Sequence, residues 1–290
     1  MAQRPQGKAY AGYWEFPGGK VEAGETPHHA LVRELHEELG TEVKTAYPWL
    51  TRVFTYPHAT VRLNFFRVTS WQGEPHGREG QLLSWQRLPD LTVAPILPAN
   101  IPIMRALQLP HLYAISNATE LGMEIFLQRL QLALNSGLRL LQIREKSWER
   151  SVLRELALRA VELAHASGAR VLINGDIELA REVAADGVQL TGVQLAACLE
   201  RPDVELCAAS CHSAEELQRA ADLGLDFALL SPVLPTKSHP GAANLGWDSF
   251  AAMAASSSIP VYALGGLQMQ DMEMAWQSGA HGIALLRQAW

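Results

Sequence analysis

The sequence predicts an α/β protein of two domains, the second of which is a (β/α)8 barrel. Three observations support this prediction: a short helix with both ends marked near the amino terminus, a proline-rich segment at 88–110, and eight short apolar runs alternating with helical patterns beyond it. Regular alternation of strand and helix favours a parallel sheet. A chain of 290 residues with 48 % hydrophobic residues can build two cores, so we predict domains at 1–109 and 110–290.

The first predicted helix covers residues 27–39. Thr26 is a favourable N-cap residue, Pro27 occupies the first helical position, and Gly40 follows the last turn. These three residues define both ends of the helix without reference to any other protein.

Three glutamates, Glu34, Glu37 and Glu38, fall on one narrow face of this helix, because successive helical residues are about 100° apart. Carboxylates this close repel one another unless a cation lies between them. Oxygen ligands of this kind suit Mg²⁺ or Mn²⁺ better than Zn²⁺. The alternative is a solvated acidic face, which is the common outcome for glutamate-rich helices.

The spacing favours the metal site over that alternative. From Gly19 the sequence reads G-x5-E-x7-R-E-L-x-E-E-x-G, and this pattern resembles the Nudix hydrolase family. Only Thr41 departs from it, standing where the family has an aliphatic residue. The resemblance implies an α/β/α sandwich and a metal-dependent hydrolase of nucleoside diphosphates linked to another moiety.

Residues around this motif resemble the MutT-type branch of that family. The resemblance implies that Phe16 packs on a purine, Asn100 reads the purine edge, Arg4 contacts the nucleotide and Glu79 joins the metal site. It further implies hydrolysis of oxidised purine triphosphates such as 8-oxo-dGTP, a role in nucleotide-pool sanitation and DNA repair. The alternatives are that Phe16 is ordinary core, Asn100 is an N-cap and Glu79 is solvated.

The implied cofactor is Mg²⁺, with Mn²⁺ as a substitute. Such an ion would neutralise phosphate oxygens and activate water. Arg33 precedes Glu37 by four residues and is expected to orient it. The resemblance implies five metal ligands: the Gly18 carbonyl, Glu34, Glu37, Glu38 and Glu79.

The amino terminus is short for this family. Only Met1 to Pro5 precede the loop that leads to residues 14–19, where the family has a strand and a hairpin. We therefore expect the first strand to be lacking, with an exposed sheet edge and reduced stability. The alternative function is an inactive Nudix half beside an active barrel.

Between the helix and the barrel, the sequence predicts strands at 52–56 and 60–69, joined by a turn that includes His58, a short strand near 83–85, and a helix at 97–107. The predicted barrel strands follow at 111–116, 138–144, 170–174, 187–190, 205–210, 227–232, 260–264 and 282–286. A helix is predicted from 147 to 166, and the eighth helix is expected to be missing or vestigial.

Polar residues and glycines follow several of these strands, at the barrel rim where catalytic and phosphate-binding groups collect. They are Arg144, Lys146, Asn174, His212, Thr236, Gly265 and Gly266. A lone histidine or glycine pair is weak evidence, so their convergence on one rim carries the prediction.

Those rim motifs resemble the thiamine phosphate synthase and TenI family over about residues 111–288. The resemblance implies that Arg144 and Lys146 bind a pyrophosphate. Two family aspartates that hold Mg²⁺ are replaced here by Gly175 and Gln194, which argues against synthase activity.

The same family has a lysine after strand six. His239 stands in its column, with Lys237 nearby. His212 matches the proton-shuttling histidine of TenI, a thiazole tautomerase, and imidazole suits proton transfer near pH 7. The alternative is a catalytically silent module that senses a thiamine-related phosphate.

Composition limits the partners. A net charge of −6 argues against nucleic-acid binding. Cys198, Cys207 and Cys211 indicate reduced thiols rather than a disulfide framework. No apolar run reaches the roughly 18 residues of a membrane span, and no signal peptide is evident. We expect a cytoplasmic protein whose partners are small molecules, a nucleotide and a thiazole or thiamine phosphate; the oligomeric state is not predicted.

Overall fold

The computed structural model describes residues 1–57, 59–236, 241 and 243–290. These residues divide into two compact units, Met1–Leu109 and Pro110–Trp290, and each is described by itself. Three residues named above, His58, Lys237 and His239, lie outside the described residues. No helix in the described part of the chain is long and apolar enough to span a membrane.

The helix at the start of the first unit, α1, has the predicted bounds, Pro27–Leu39. The Thr26 Oγ1 accepts a hydrogen bond from the His29 N–H at 3.2 Å, and Gly40 adopts the left-handed conformation with φ +68°. Thr41, where the family has an aliphatic residue, is buried and donates its hydroxyl to the Leu35 carbonyl at 3.2 Å. The hydroxyl is thus satisfied, so burying it carries little penalty.

The strands of the first unit form two small sheets. In one, β1 (Ala2–Gln3) pairs antiparallel with β2 (Trp14–Glu15). In the other, β3 (Glu42–Tyr56) and β4 (Ala59–Gln72) form a long antiparallel hairpin. Among the described residues these are two separate two-stranded sheets.

Both hairpin strands are longer than predicted. Pro48 lies within β3, although proline has no N–H to donate to a ladder. In the structure, register shifts on both sides of this position, between Val43 and Ala46 and between Pro48 and Leu50, let β3 continue through the proline. The short strand predicted near 83–85 is wrong: only an isolated bridge forms there, between Leu83 and Ala2.

The chain then returns to the core of the first unit. The Trp14 N–H donates to the Pro95 carbonyl, and a 3-10 turn at Pro98–Asn100 leads into α2 (Ile101–Ala106). Ile103 of α2 is buried in a small apolar cluster that Phe16 and Phe65 pack against. This cluster brings the segment around Asn100 toward the segment around Phe16.

The second unit is a closed eight-stranded parallel barrel, as predicted. Its strands, in the order in which they follow in the chain, are β5 (Leu112–Ile115), β6 (Leu140–Ile143), β7 (Arg170–Asn174), β8 (Gly187–Leu190), β9 (Leu206–Cys211), β10 (Phe227–Leu230), β11 (Val261–Leu264) and β12 (Gly282–Leu285). Adjacent strands pair in this order, and β12 pairs with β5 to close the ring.

Helices follow the strands and cover the outside of the barrel. They are α3 (Ala118–Leu121), α4 (Met123–Asn135), α5 (Arg150–Ala166), α6 (Ile177–Glu182), α7 (Gly192–Ala197), α8 (Ala214–Asp222), α9 (Gly246–Ala254) and α10 (Met272–Gln277). After β12, the described residues form a 3-10 turn, Arg287–Ala289.

The barrel interior is filled by aromatic rings and by buried polar side chains that hydrogen-bond to one another. Tyr113, Phe227 and Tyr262 pack against one another with ring centroids 5.2 to 5.8 Å apart. The Tyr113 hydroxyl donates to Gln189 and accepts from Gln142, at 3.3 and 3.2 Å. The filled interior confines any ligand to the rim.

Candidate functional site

Arg33 is the centre of the polar site on α1. Its Nε and Nη2 donate to the two carboxylate oxygens of Glu25, at 3.0 and 2.9 Å, and its Nη2 also donates to the Lys20 carbonyl at 2.9 Å. Its Nη1 donates to Glu34 at 2.9 Å and to Glu37 at 3.2 Å. One guanidinium therefore draws three carboxylates together, and the predicted orienting contact to Glu37 is present.

The loop before α1 approaches these carboxylates closely. A Cβ on Gly19 would lie 2.1 Å from the carboxyl carbon of Glu34, so a larger residue here would displace that carboxylate. Gly18 has φ +141°, and its N–H donates to Glu38 at 3.3 Å. The two glycines therefore allow the backbone of this loop to lie close to the carboxylates of Glu34 and Glu38.

Glu38 is an acid of this group whose carboxyl is partly buried. Burial raises the pKa of its carboxyl above the usual range; the hydrogen bond from Gly18 opposes this, and the carboxylates of Glu34 and Glu79 add to it. The negative charges of Glu34, Glu38 and Glu79 thus lie close together. A bound cation would reduce the repulsion among them.

The loop that carries Glu79 is fastened to the carboxyl end of α1. The backbone N–H groups of His76 and Arg78 donate to the carbonyls of Leu39 and Glu38, and the Gln81 side-chain amide also donates to the Glu38 carbonyl. The Lys8 ammonium lies 3.2 Å from Glu79. Anchored in this way, Glu79 stays within electrostatic range of Glu38.

The donor set fits a hard divalent cation such as Mg²⁺. Within the part of the chain that the structure describes, no three acidic, histidine or cysteine side chains are arranged to ligate one ion. Glu34 and Glu37 are instead turned to Arg33. Metal binding therefore requires these carboxylates to turn away from Arg33, and the assignment of Glu34, Glu37, Glu38, Glu79 and Gly18 as ligands stays a prediction.

Asn100 occupies the N-cap position of α2, as the capping alternative expected, but its side chain makes no capping hydrogen bond. The residue is 5 % exposed, and its Nδ2 is buried without a hydrogen-bond partner among the described residues. An unpaired buried amide is costly. Phe16 is half-buried and packs edge-on against Phe65, with centroids 6.1 Å apart.

Arg4 has partners within its own loop. Its Nη1 donates to both carboxylate oxygens of Glu15, at 2.7 and 2.6 Å, and its Nε donates to the Ala9 carbonyl at 2.7 Å. Burial raises the pKa of Glu15, and the hydrogen bond from Arg4 opposes the shift. In this structure Arg4 fixes the loop at 4–13, and its predicted contact with the nucleotide stays a prediction.

A cavity of about 600 Å³ opens at the rim of the barrel. All seven predicted rim residues line it: Arg144, Lys146, Asn174, His212, Thr236, Gly265 and Gly266. The two glycines are required, because a Cβ would lie 2.8 Å from Pro232 at Gly265 and 2.5 Å from the Pro235 carbonyl at Gly266. Asn174 donates its amide to the Gln189 carbonyl at 3.4 Å.

The cavity carries unbalanced positive charge. No acidic side chain of the described residues pairs with Arg144 or Lys146. Burial lowers the pKa of Arg144, and the charge of Arg144 lowers the pKa of Lys146. Glu145, which lies between them in sequence, is buried and accepts backbone hydrogen bonds from Ala118 and Thr119 at 2.9 Å. Its carboxylate is thus held in the adjacent loop, from which its charge opposes the effect of burial on the pKa of Arg144. Two cations and, within the described part of the chain, no salt bridge to them make the cavity suitable for an anion.

His212 lines the same cavity with a defined tautomer. Its Nδ1 lies 2.8 Å from the Ser231 carbonyl, which can only accept a hydrogen bond, so Nδ1 carries the proton. In the neutral ring, Nε2 therefore holds a lone pair and can accept a proton.

The residues at the two aspartate positions do not fit a metal ion. The Gln194 Nε2 donates to the Gly175 carbonyl at 2.6 Å, and its Oε1 accepts from the Thr191 N–H at 3.0 Å. Gly175 has φ +72° and offers no side chain. The glutamine amide caps α7 and ties the two loops together, so neither position supplies a carboxylate.

The sequence analysis missed several polar groups that also line this cavity, among them Thr191, Ser210, Gln268 and Arg287. The signal for Ser210 was present, since a lone polar residue near the end of an apolar strand points to the rim. Gln268 and Arg287 lie in loops whose path is set by the closed barrel, which a single sequence does not reveal.

Comparisons with known proteins match the two units separately. Residues 1–107 match the family model of the NUDIX domain, and residues 112–289 match that of thiamine monophosphate synthase. An 8-oxo-dGTP diphosphatase from Haemophilus influenzae is 42 % identical over 107 residues, covering 37 % of this chain and 79 % of the relative.

The second unit also has similar relatives among known proteins. A protein from Aquifex aeolicus, whose name assigns it to the thiamine-phosphate synthases, is 36 % identical over 180 residues, covering 61 % of this chain and 96 % of the relative. The solved thiamine phosphate pyrophosphorylase from Pyrococcus furiosus is 25 % identical with a TM-score of 0.52, covering 60 % of this chain and 84 % of that one.

The fold, the site and these relatives define a two-unit α/β enzyme that includes a hydrolase of phosphoric anhydrides. The chain belongs to the Nudix family through its amino-terminal part and to the thiamine monophosphate synthase family through its carboxyl-terminal part.

We predict that Arg33→Gln lowers stability in a pH-dependent way. The hydrogen bond from Arg33 holds the pKa of the Glu25 carboxyl below its usual value of 4.5. A lowered carboxyl pKa stabilises the folded state above that usual value, and the stabilisation is lost as the pH falls through the lowered pKa. In EDTA, the gap in urea midpoint between wild type and variant should therefore be largest near neutral pH and shrink in acid.

Carbon-13 NMR of the Glu25 carboxyl should show a higher titration midpoint in the variant. Arg33→Lys, which keeps the charge without the planar fork, serves as control and should lie between the two proteins. An unchanged Glu25 titration would contradict the assigned contact.

Proposed function

We propose that the amino-terminal unit hydrolyses oxidised purine nucleoside triphosphates such as 8-oxo-dGTP to the monophosphate and pyrophosphate, with Mg²⁺ or Mn²⁺ as cofactor. Its role would be nucleotide-pool sanitation in support of DNA repair. The named activity of the Haemophilus influenzae relative supports this proposal. The observation that carries it is the buried, unpartnered Nδ2 of Asn100.

The chemistry of an oxidised purine matches that amide. Guanine presents two acceptors, O6 and N7, on this edge, and oxidation at C8 converts N7 into a donor. An asparagine amide can then donate from Nδ2 to O6 and accept at Oδ1 from N7–H. Phe16 would contribute ring contact to the base, since it is half-buried beside the cluster that contains Ile103.

The carboxylates and Arg33 would form the site for the triphosphate and its metal ion. A bound divalent cation would supply charge neutralisation of phosphate oxygens and a lower pKa for water. Arg33 keeps Glu34 and Glu37 on one side of α1, and the glycines before the helix leave space beside them. The residues of this chain would thus orient the carboxylates and keep their negative charges in place for the metal ion.

We predict that the protein releases pyrophosphate from 8-oxo-dGTP faster than from dGTP at equal concentration, and that Asn100→Ala reduces this preference. Loss of a pair of hydrogen bonds should cost about 10- to 100-fold in relative kcat/KM. Equal preference in wild type and variant would contradict the role of Asn100.

The matched control is Glu37→Gln, which preserves shape and removes one charge. It should lose most turnover of every nucleotide without changing the ranking among them. Equal turnover by wild type and Glu37→Gln, or none by either, would remove the proposed hydrolase. In the latter case, the alternative of an inactive Nudix half beside a functional barrel would take its place.

For the barrel we propose a metal-independent activity on a thiazole phosphate, with His212 as the proton-transfer group. Three observations support it: the assigned tautomer of His212, the unpaired cations Arg144 and Lys146, and the absence of carboxylates at the described positions 175 and 194. The cations would bind the phosphate, and Nε2 would move the proton.

We predict that thiazole phosphate isomerisation proceeds undiminished in EDTA and falls by at least about 100-fold in His212→Ala. Isomerisation can be followed by NMR in deuterated water. Arg144→Gln should instead raise KM, because that residue would bind the phosphate. Tight binding of the phosphate without turnover by wild type would favour the sensor over the tautomerase.

A further inference from the structure

Lys8 lies in a loop that is held in place by Arg4. The backbone N–H of Arg4 donates to the Tyr13 carbonyl, Gly12 donates to the Arg4 carbonyl, and the Arg4 Nε donates to Ala9. Both oxygens of Glu15 bind the same guanidinium. The Arg4 charge is thus committed to the loop, whereas Lys8 extends from it toward the acidic site.

Among the described residues, the Lys8 ammonium forms a salt bridge with Glu79, at 3.2 Å. The two side chains are 53 % and 49 % exposed. Ion pairs of this exposure contribute little to stability. Lys8 can therefore change partners at small cost, unlike Arg4, whose Nη1 donates to both oxygens of Glu15 in a half-buried contact.

Lys8 also lies near a second carboxylate of the site, because its partner Glu79 belongs to a loop that is fastened to α1. The Arg78 N–H and the Gln81 side-chain amide of this loop both donate to the Glu38 carbonyl. An exposed ammonium thus lies where the acidic groups of α1 and of the Glu79 loop meet. A triphosphate that enters this region carries several negative charges and no compensating donor of its own.

We propose that Lys8 is a substrate-binding residue that exchanges Glu79 for the triphosphate. This inference rests on the proposed nucleotide hydrolysis. In the protein alone, Lys8 balances the carboxylates; when Glu79 turns to a cation, the freed ammonium donates to a phosphate oxygen. Lys8 binds and does not react, so its removal raises KM and leaves kcat nearly unchanged.

The test compares Lys8→Met with Lys44→Met. Lys44 is matched, because it too is a half-exposed lysine paired with an exposed glutamate, Glu42. With 8-oxo-dGTP, Lys8→Met should raise KM by about tenfold and change kcat by less than about twofold. Lys8→Arg should restore KM to within about threefold, and Lys44→Met should behave as wild type.

Two binding measurements separate this inference from the proposed function. Calorimetry with inorganic triphosphate should show weaker binding to Lys8→Met than to wild type. Titration with Mn²⁺ alone, followed by electron paramagnetic resonance, should show tighter binding, because a competing cation is removed from Glu79.

If wild type turns over no nucleotide, the proposed function fails and these two titrations decide the role of Lys8. An unchanged KM, a loss confined to kcat, or unchanged triphosphate and Mn²⁺ binding would overturn the inference.

Discussion

The repulsion among carboxylates on one face of α1 is the constraint on which the amino-terminal unit depends. Glu34, Glu37 and Glu38 project from consecutive turns of a thirteen-residue helix, and such an arrangement is unfavourable without positive charge nearby. Arg33 supplies that charge by binding Glu34 and Glu37 together with Glu25. The guanidinium fork gives the carboxylates fixed positions, which a flexible ammonium would not.

The barrel has the opposite imbalance. Arg144 and Lys146 line the cavity and form no salt bridge with an acidic side chain among the described residues, and the neighbouring Glu145 carboxylate accepts hydrogen bonds from backbone N–H groups. The amino-terminal unit thus has a cluster of negative charge that favours binding of a cation. The barrel has a cluster of positive charge that favours binding of a phosphate. Two different ligands are expected from the same electrostatic rule, and Gly175 and Gln194 supply no carboxylate that could hold a cation in the second unit.

Local signals predicted a large part of this structure. The bounds of α1 follow from its caps, and those of β7 and β8 from short apolar runs bounded by polar residues. The seven rim residues were identified because parallel barrel strands end on one face. All of these features depend on neighbours within a few residues of the chain.

The features that sequence reasoning did not reach depend on distant contacts. The register shifts that carry β3 through Pro48 are set by β4. The partnership of Arg4 with Glu15, and of Lys8 with Glu79, depends on loops that meet only in the folded unit. The unpaired Asn100 amide was likewise visible only once its burial was known. The Arg4–Glu15 and Lys8–Glu79 pairs join residues 11 and 71 positions apart. Contacts over such separations produce no periodic pattern in the sequence.

Anomalous diffraction from crystals soaked in Mn²⁺ tests the central claim most directly. The account predicts an ion bound by oxygens of the α1 glutamates at about 2.0 to 2.3 Å, with Glu34 turned away from Arg33 toward it. Crystals in which the glutamates keep their contacts with Arg33 and no ion lies beside them would contradict it.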